Sequence, residues 1–387
     1  PPAGRSAQRL RRLRILFASN NRFTELPAVL GECPTLEMVG FKSNAIAEVP
    51  GAALPPGLRW LILTDNAIAS LPAELGERPR LQKLMLAGNR LSVLPGSLQH
   101  AHSLELLRIA ANRFERLPDW LPALPRLAWL AWGGNPLTAG PEAEALAHAA
   151  VRSIAPSALS LGARLGEGAS GVIHAATWRS GGADRAVALK RFKGSVTSDG
   201  WPDSEMAACL ALGDHALVRV LGPVQADADG AGALVLGQLP ADTQALAAPP
   251  SFDTCTRDVY APDLKFTALA LAQLMHQVAS AMAQVHTRGL VHGDLYAHNL
   301  LRAGSRGWLS DLGAASFLPP GQPGLHAALQ ALDVRAFGVL LGECLARTAP
   351  ADAAALAPWV ALRDDCRPGV GAPAVGFGTI VERLSNL

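Results

Sequence analysis

Five residues between positions 190 and 311 of this 387-residue chain have types and spacings that suit chemistry. Lys190 closes the strand-like run Ala186-Val187-Ala188-Leu189, so a cation is presented at the end of a strand. Glu205 follows fifteen residues later, at the start of a helical segment. His292-Gly293-Asp294 places a carboxylate five residues before Asn299, and Asp311-Leu312-Gly313 supplies another. Carboxylate and amide oxygens are the hard donors that Mg2+ prefers, and a positioned carboxylate can take a proton from a reacting hydroxyl. Upstream, Gly166, Gly168 and Gly171 with Val172 are read as G-x-G-x-x-G-x-V. Glycines in such a turn let backbone approach a phosphate without a Cβ clash. In a chain with 37 glycines that spacing alone says little, so the order of the motifs carries the weight.

The glycine turn, the lysine strand, Glu205, His215–Gly222, His292-Gly293-Asp294 with Asn299, Asp311-Leu312-Gly313 and the run Asp333–Gly338 follow one another as in protein kinases. Residues 160–387 thus resemble the protein-kinase superfamily, and more narrowly bacterial proteins that join leucine-rich repeats to a compact kinase domain. The resemblance implies binding of ATP and Mg2+. Lys190 would neutralise the α- and β-phosphates and Glu205 would hold it. Asp311 and Asn299 would hold the metal, and Asp294 would accept the proton of the attacking hydroxyl. The nucleotide contacts it implies are Gly166, Gly168, Gly171, Val172, Ala188, Lys190, Leu236, Gln238 and Leu239. A serine/threonine acceptor follows from the superfamily's usual habit and from no residue of this chain.

The chain also departs from that pattern. Gly293 stands where H-R-D has arginine, Tyr296 stands where a lysine is usual, and no A-P-E follows Asp311. The only hydroxyl residue between Asp311 and Asp333 is Ser316, so activity is expected not to need phosphorylation of that segment. Two other readings stay open. H-G-D-L is also a signature of small-molecule kinases of the aminoglycoside and choline type, although few residues follow Asp311 to hold a substrate. A pseudokinase scaffold acting through its repeats is the other, although Lys190, Asp294, Asn299 and Asp311 are all retained.

The elements that must position these groups divide at about residue 155. Leu271, Leu274, Val278, Met282 and Val285 recur at helical spacing before Asp294, as a buried stripe. Residues 1–155 read instead as an array. Asn21, Asn44, Asn66, Asn89, Asn112 and Asn135 recur every 22 or 23 residues within L-x-x-L-x-L-x-x-N-x-L. This region resembles leucine-rich repeats: six short parallel strands, inward leucines, and asparagines that satisfy backbone groups where the chain bends. Residues 141–150 read as a terminal cap helix with Pro141 at its first position. The expected whole is an α/β solenoid at 1–155, followed by a bilobal α+β kinase-like domain at 156–387.

Strand alternation turns Ile15, Phe17, Met38, Trp60, Ile62, Met85, Leu106 and Trp129 to the concave face, with few polar residues among them (Lys42, Lys83 and Arg108). An apolar face of that kind is expected to be covered, by a protein or peptide partner or by the chain's own kinase domain. Residues 1–155 carry a net charge of +5 and the remainder −3, which does not suggest a nucleic-acid binder. Arg5, Arg9, Arg11, Arg12 and Arg14 read as the solvated edge of the first repeat. No apolar run reaches the length of a membrane span. Five scattered cysteines without paired spacing suit a reducing compartment, and a cytoplasmic location is expected.

Overall fold

The computed structural model describes residues 11–150, 153–168, 170–194, 196–213, 218–225, 232–348, 356–367 and 375–386. Six three-residue strands form one parallel sheet in chain order: β1 (Ile15–Phe17), β2 (Met38–Gly40), β3 (Trp60–Ile62), β4 (Lys83–Met85), β5 (Leu106–Arg108) and β6 (Trp129–Ala131). The register advances one repeat per strand, with Val39, Leu61, Leu84, Leu107 and Leu130 in line. All five are fully or almost fully buried in the solenoid core. A repeat of 22 or 23 residues leaves space on the return side only for short 3-10 turns, four of which begin just after Pro27, Pro50, Pro72 and Pro95.

The asparagines stitch neighbouring repeats. Asn89 Nδ2 donates to the carbonyls of Leu63 (2.8 Å) and Leu86 (2.9 Å), and its Oδ1 accepts from the Ile68 amide at 3.0 Å. Asn112 and Asn135 repeat the arrangement. The backbone groups of each bend are therefore paired inside the stack, where water cannot reach them. The cap helix α1 spans Ala139–Ala150 and so starts two residues earlier than the sequence suggests. The 3-10 turn Pro136–Thr138 runs straight into it, which makes Pro141 its third residue rather than its first. Arg5 and Arg9 lie outside the described residues, and Arg14 pairs with Glu37 at 3.0 Å.

The second region begins with a five-stranded antiparallel sheet ordered β10-β11-β9-β8-β7. Its strands are β7 (Leu159–Glu167), β8 (Gly171–Ser180), β9 (Ala183–Phe192), β10 (Val220–Pro223) and β11 (Ala233–Gly237), with helix α2 (Pro202–Leu212) against it. Ile154, ahead of β7, is already bridged to Val224 beside this sheet. The second lobe is built on α3 (Ala268–Thr287) and α4 (His326–Leu345), with α5 (Ala357–Asp365) and α6 (Phe377–Ser385). The stripe expected on α3 is buried. After the two-residue strand β12 (Gln244–Ala245) come β13 (Leu290–Val291), β14 (Leu300–Ala303), β15 (Arg306–Leu309) and β16 (Ser316–Phe317). No helix among the described residues is long and apolar enough to cross a membrane.

The concave face of the solenoid is not open to water. Met38, Trp60, Met85, Leu106 and Trp129 belong to the same buried cluster as Leu295, Tyr296, Met275, Phe337 and Trp359 of the second lobe. Trp129 stacks on Tyr296 with ring centroids 4.2 Å apart, and its indole N–H donates to the Leu295 carbonyl at 3.1 Å. Phe17 alone among the eight expected residues stays exposed, at 40%.

Candidate functional site

Strand alternation on β9 turns Ala188 and Lys190 toward a cleft between the lobes, and the partner of Lys190 comes from α2. That helix starts at Pro202, with Trp201 in extended backbone ahead of it, which puts Glu205 in the first turn. Glu205 is 2% exposed and its Oε1 accepts from Lys190 Nζ. Burial works against the ammonium charge, but the Glu205 carboxylate and then Asp311 outweigh it and hold the Lys190 pKa above its ordinary value. The lysine is therefore a fixed cation.

The turn after β13 is organised from below by Asp333. This aspartate of α4 is fully buried and accepts from the backbone amides of His292 (2.8 Å) and Gly293 (3.0 Å), and faces His286 Nε2 at 3.0 Å. His292 is fully buried, and burial lowers its pKa, so it is a structural residue of this turn. Asp294 leaves the turn with Oδ2 held by Asn299 Nδ2 at 2.8 Å. Asn299 is tied in turn to the strand that leads to Asp311, because the Ser310 amide and hydroxyl both donate to the Asn299 carbonyl at 2.8 Å. Asp311 takes a left-handed backbone (φ 57°), which aspartate tolerates better than most residues. The Gly313 amide donates to its Oδ1 at 3.0 Å, and the side chain is exposed at the cleft.

The cleft encloses about 470 Å³. Ile173, Ala188, Val220 and Leu309 form its apolar walls, Leu236 on β11 and Gln238 and Leu239 just after it line it, and Lys190, Glu205 and Asp311 line it too. That is an apolar slot with a charged end, the form suited to a flat base carrying phosphates. Gly166 lines it, whereas Gly168, Gly171 and Val172 do not. Val172 is a slip of one residue: the motif leaves one residue between the last glycine and the valine, and Ile173 is the side chain that alternation turns into the cleft. Gly171 has a different reason to be glycine, since a Cβ there would lie 2.5 Å from the Arg191 carbonyl oxygen. Of the segment resembling His215–Gly222, residues 214–217 lie outside the described residues, and Val220 opens β10.

Sequence reasoning missed what the repeats contribute. Arg108, on β5, is 2% exposed. Its Nε donates to Asp199 Oδ1 at 2.7 Å, its Nη1 to the Gly293 carbonyl at 3.0 Å, and its Nη2 to Asp294 Oδ1. Ser316 is buried against the residues that follow β6: its hydroxyl accepts from the amides of Trp132 (3.0 Å) and Gly133 (3.1 Å) and donates to the Ala314 carbonyl. The Trp132 indole N–H donates to the Phe317 carbonyl at 3.0 Å. From α1, Glu142 accepts from the Gly134 amide (2.8 Å) and from the Ser204 hydroxyl on α2 (3.0 Å). The only signals in the sequence were Gly293, where an arginine was expected, and Arg108 as one of few polar residues on an apolar face.

Comparison with protein families gives two matches. Residues 56–114 match the family described as leucine rich repeat, and residues 159–318 match the one described as protein tyrosine and serine/threonine kinase. No curated protein matches the chain.

Proposed function

From the premise that this chain joins leucine-rich repeats to a protein-kinase domain, we propose that it transfers the γ-phosphoryl group of Mg-ATP to a hydroxyl of a protein. The observation that carries this reading is the Lys190–Glu205 pair and Asp311 at one end of an apolar cleft, with the Asp294–Asn299 pair outside the cleft lining but tied through the Asn299 carbonyl to Ser310, next to Asp311. Lys190, fixed by Glu205, meets the phosphate chain, and Leu236, Gln238 and Leu239 meet the base. Asp311 and Asn299 offer oxygens to magnesium. Among the described residues no three His, Cys, Asp or Glu side chains converge as a metal cage. That accords with an ion that arrives with phosphates and takes one or two protein ligands. Bound Mg-ATP supplies the phosphoryl group and its charge neutralisation. Asp294 orients the acceptor hydroxyl and takes its proton. The acceptor is assigned as serine or threonine on the superfamily's usual habit.

We place the domain junction at 155/156, and the action in a reducing compartment such as the cytoplasm, an assignment that five unpaired buried thiols support. The test is a melt of the full chain with and without Mg-ATP, alongside labelled ATP with cell lysate. At one hundred times the dissociation constant, binding stabilises by about 2.7 kcal/mol, and Asp311→Asn removes most of the magnesium dependence. Label on protein supports the proposal. Label on a small molecule would transfer the reading to a small-molecule kinase, and a melt indifferent to Mg-ATP would leave a scaffold.

A further inference from the structure

We infer that Arg108 is a positioning residue for Asp294, so that the repeat domain supplies part of the phosphotransfer centre. This rests on the phosphotransferase reading above. The guanidinium is a rigid planar fork with five donors, and here it spans three partners on two other segments. Asp199 fixes one edge, and the far nitrogens meet the Gly293 carbonyl and the Asp294 carboxylate. With Asn299 on its other oxygen, the Asp294 carboxylate is gripped at both oxygens and cannot rotate freely. A carboxylate oxygen has two lone-pair directions, so each keeps one for the proton of an acceptor.

The contact belongs to the permanent architecture. Gly293 is shaped around the repeats, because the carbonyl oxygen of Leu130 lies where any Cβ would come within 2.4 Å. Ser316 and Phe317 are bonded to Trp132 and Gly133 by main-chain and side-chain groups that are themselves buried. Val291, Leu318, Leu329 and Leu332 lie in the solenoid's own core cluster. A clamp meant to release would not share two cores with the part it releases. Arg108 therefore sets the orientation of the base and does not block it. It does not line the nucleotide cleft, so it acts on transfer and not on ATP binding.

The experiment uses the full chain with Arg108→Ala, Arg108→Lys and, as a milder variant, Asp199→Asn. Phosphate release from Mg-ATP and label incorporated into the protein give kcat and KM, and amide hydrogen exchange follows residues 292–295. In Arg108→Ala, kcat falls roughly 10²-fold, as for a misplaced catalytic group, with KM for ATP unchanged and the Gly293 and Asp294 amides exchanging faster. Arg108→Lys restores part of both, and Asp199→Asn lies between it and the wild type. If Arg108→Ala does not fold, the last two variants carry the test in the same order. Faster turnover in Arg108→Ala would make the contact an inhibitory lock and overturn the inference, as would turnover and exchange that both stay at wild-type values. A wild type that never transfers phosphate defeats the functional reading instead. In that case unchanged exchange on losing Arg108 still sinks the positioning role, and faster exchange upholds it.

Discussion

At Gly293 the backbone has φ +70°, and an added Cβ would lie 2.4 Å from the Leu130 carbonyl oxygen and 2.9 Å from that of Ala314. The residue that departs most from the expected motif is thus dictated by packing against β6. Restoring the arginine would push the repeats off the turn. Gly293→Ala should cost at least about 1–2 kcal/mol from the left-handed backbone alone, with the clash adding to it, and Gly293→Arg should cost more. Denaturant midpoints measure both, and an arginine variant as stable as wild type would show that the turn does not need the glycine. The Lys190–Glu205 and Asp294–Asn299 pairings could be anticipated, because phosphotransfer would restrict these positions, like that of Asp311, to one or two residue types. Arg108 was not legible. Its role comes from partners 91 and 186 residues away, and no local pattern encodes that distance. Val172 failed for a smaller reason, since one residue of register reverses the face of a strand.

Among the elements, helix α2 is held from outside its own lobe. Glu142, near the start of α1, takes the Ser204 hydroxyl one residue before Glu205, so the cap of the solenoid steadies the helix that fixes Lys190. Glu142→Ala removes two hydrogen bonds to a carboxylate, one of them from the Gly134 amide. It should cost about 1.5–3 kcal/mol for each bond lost and reduce the melting shift produced by Mg-ATP. A normal Mg-ATP shift in a folded Glu142→Ala protein would show that α2 is set by its own lobe. The repeats were legible as elements because period and asparagine ladder agree over six strands. The start of α1 was not, because the 3-10 turn at Pro136 joins it without a break, and proline at a later position of a first turn reads the same in sequence.

For the molecule as a whole, the apolar concave face could be read from strand alternation, and the chain's own second domain was one of the two occupants expected there, but sequence could not choose between it and a separate partner. The second domain covers it from Met38 to Trp129, and the two share their cores. One buried cluster runs from Met38, Trp60 and Trp129 to Met282, Phe337 and Trp359, and the other from the repeat leucines to Val291, Leu329 and Leu332. Neither part can lose its fold without exposing the apolar face of the other, so the chain should unfold as one unit despite its two architectures. Trp129 tests this most directly. It is 1% exposed, stacks on Tyr296 and donates to Leu295. Trp129→Ala should cost about 3–5 kcal/mol, the usual loss for a large aromatic in a core. Both domains should feel that loss together. Thermal melts followed by circular dichroism should give one transition in wild type and one in the variant, at a lower temperature. Mg-ATP should raise each transition as a whole. A fragment of residues 156–387 alone should expose Leu295, Tyr296 and Leu318 and associate with itself. Two separated transitions, with only one moved by Mg-ATP and only the other by Trp129→Ala, would show instead that solenoid and kinase domain fold independently and merely touch.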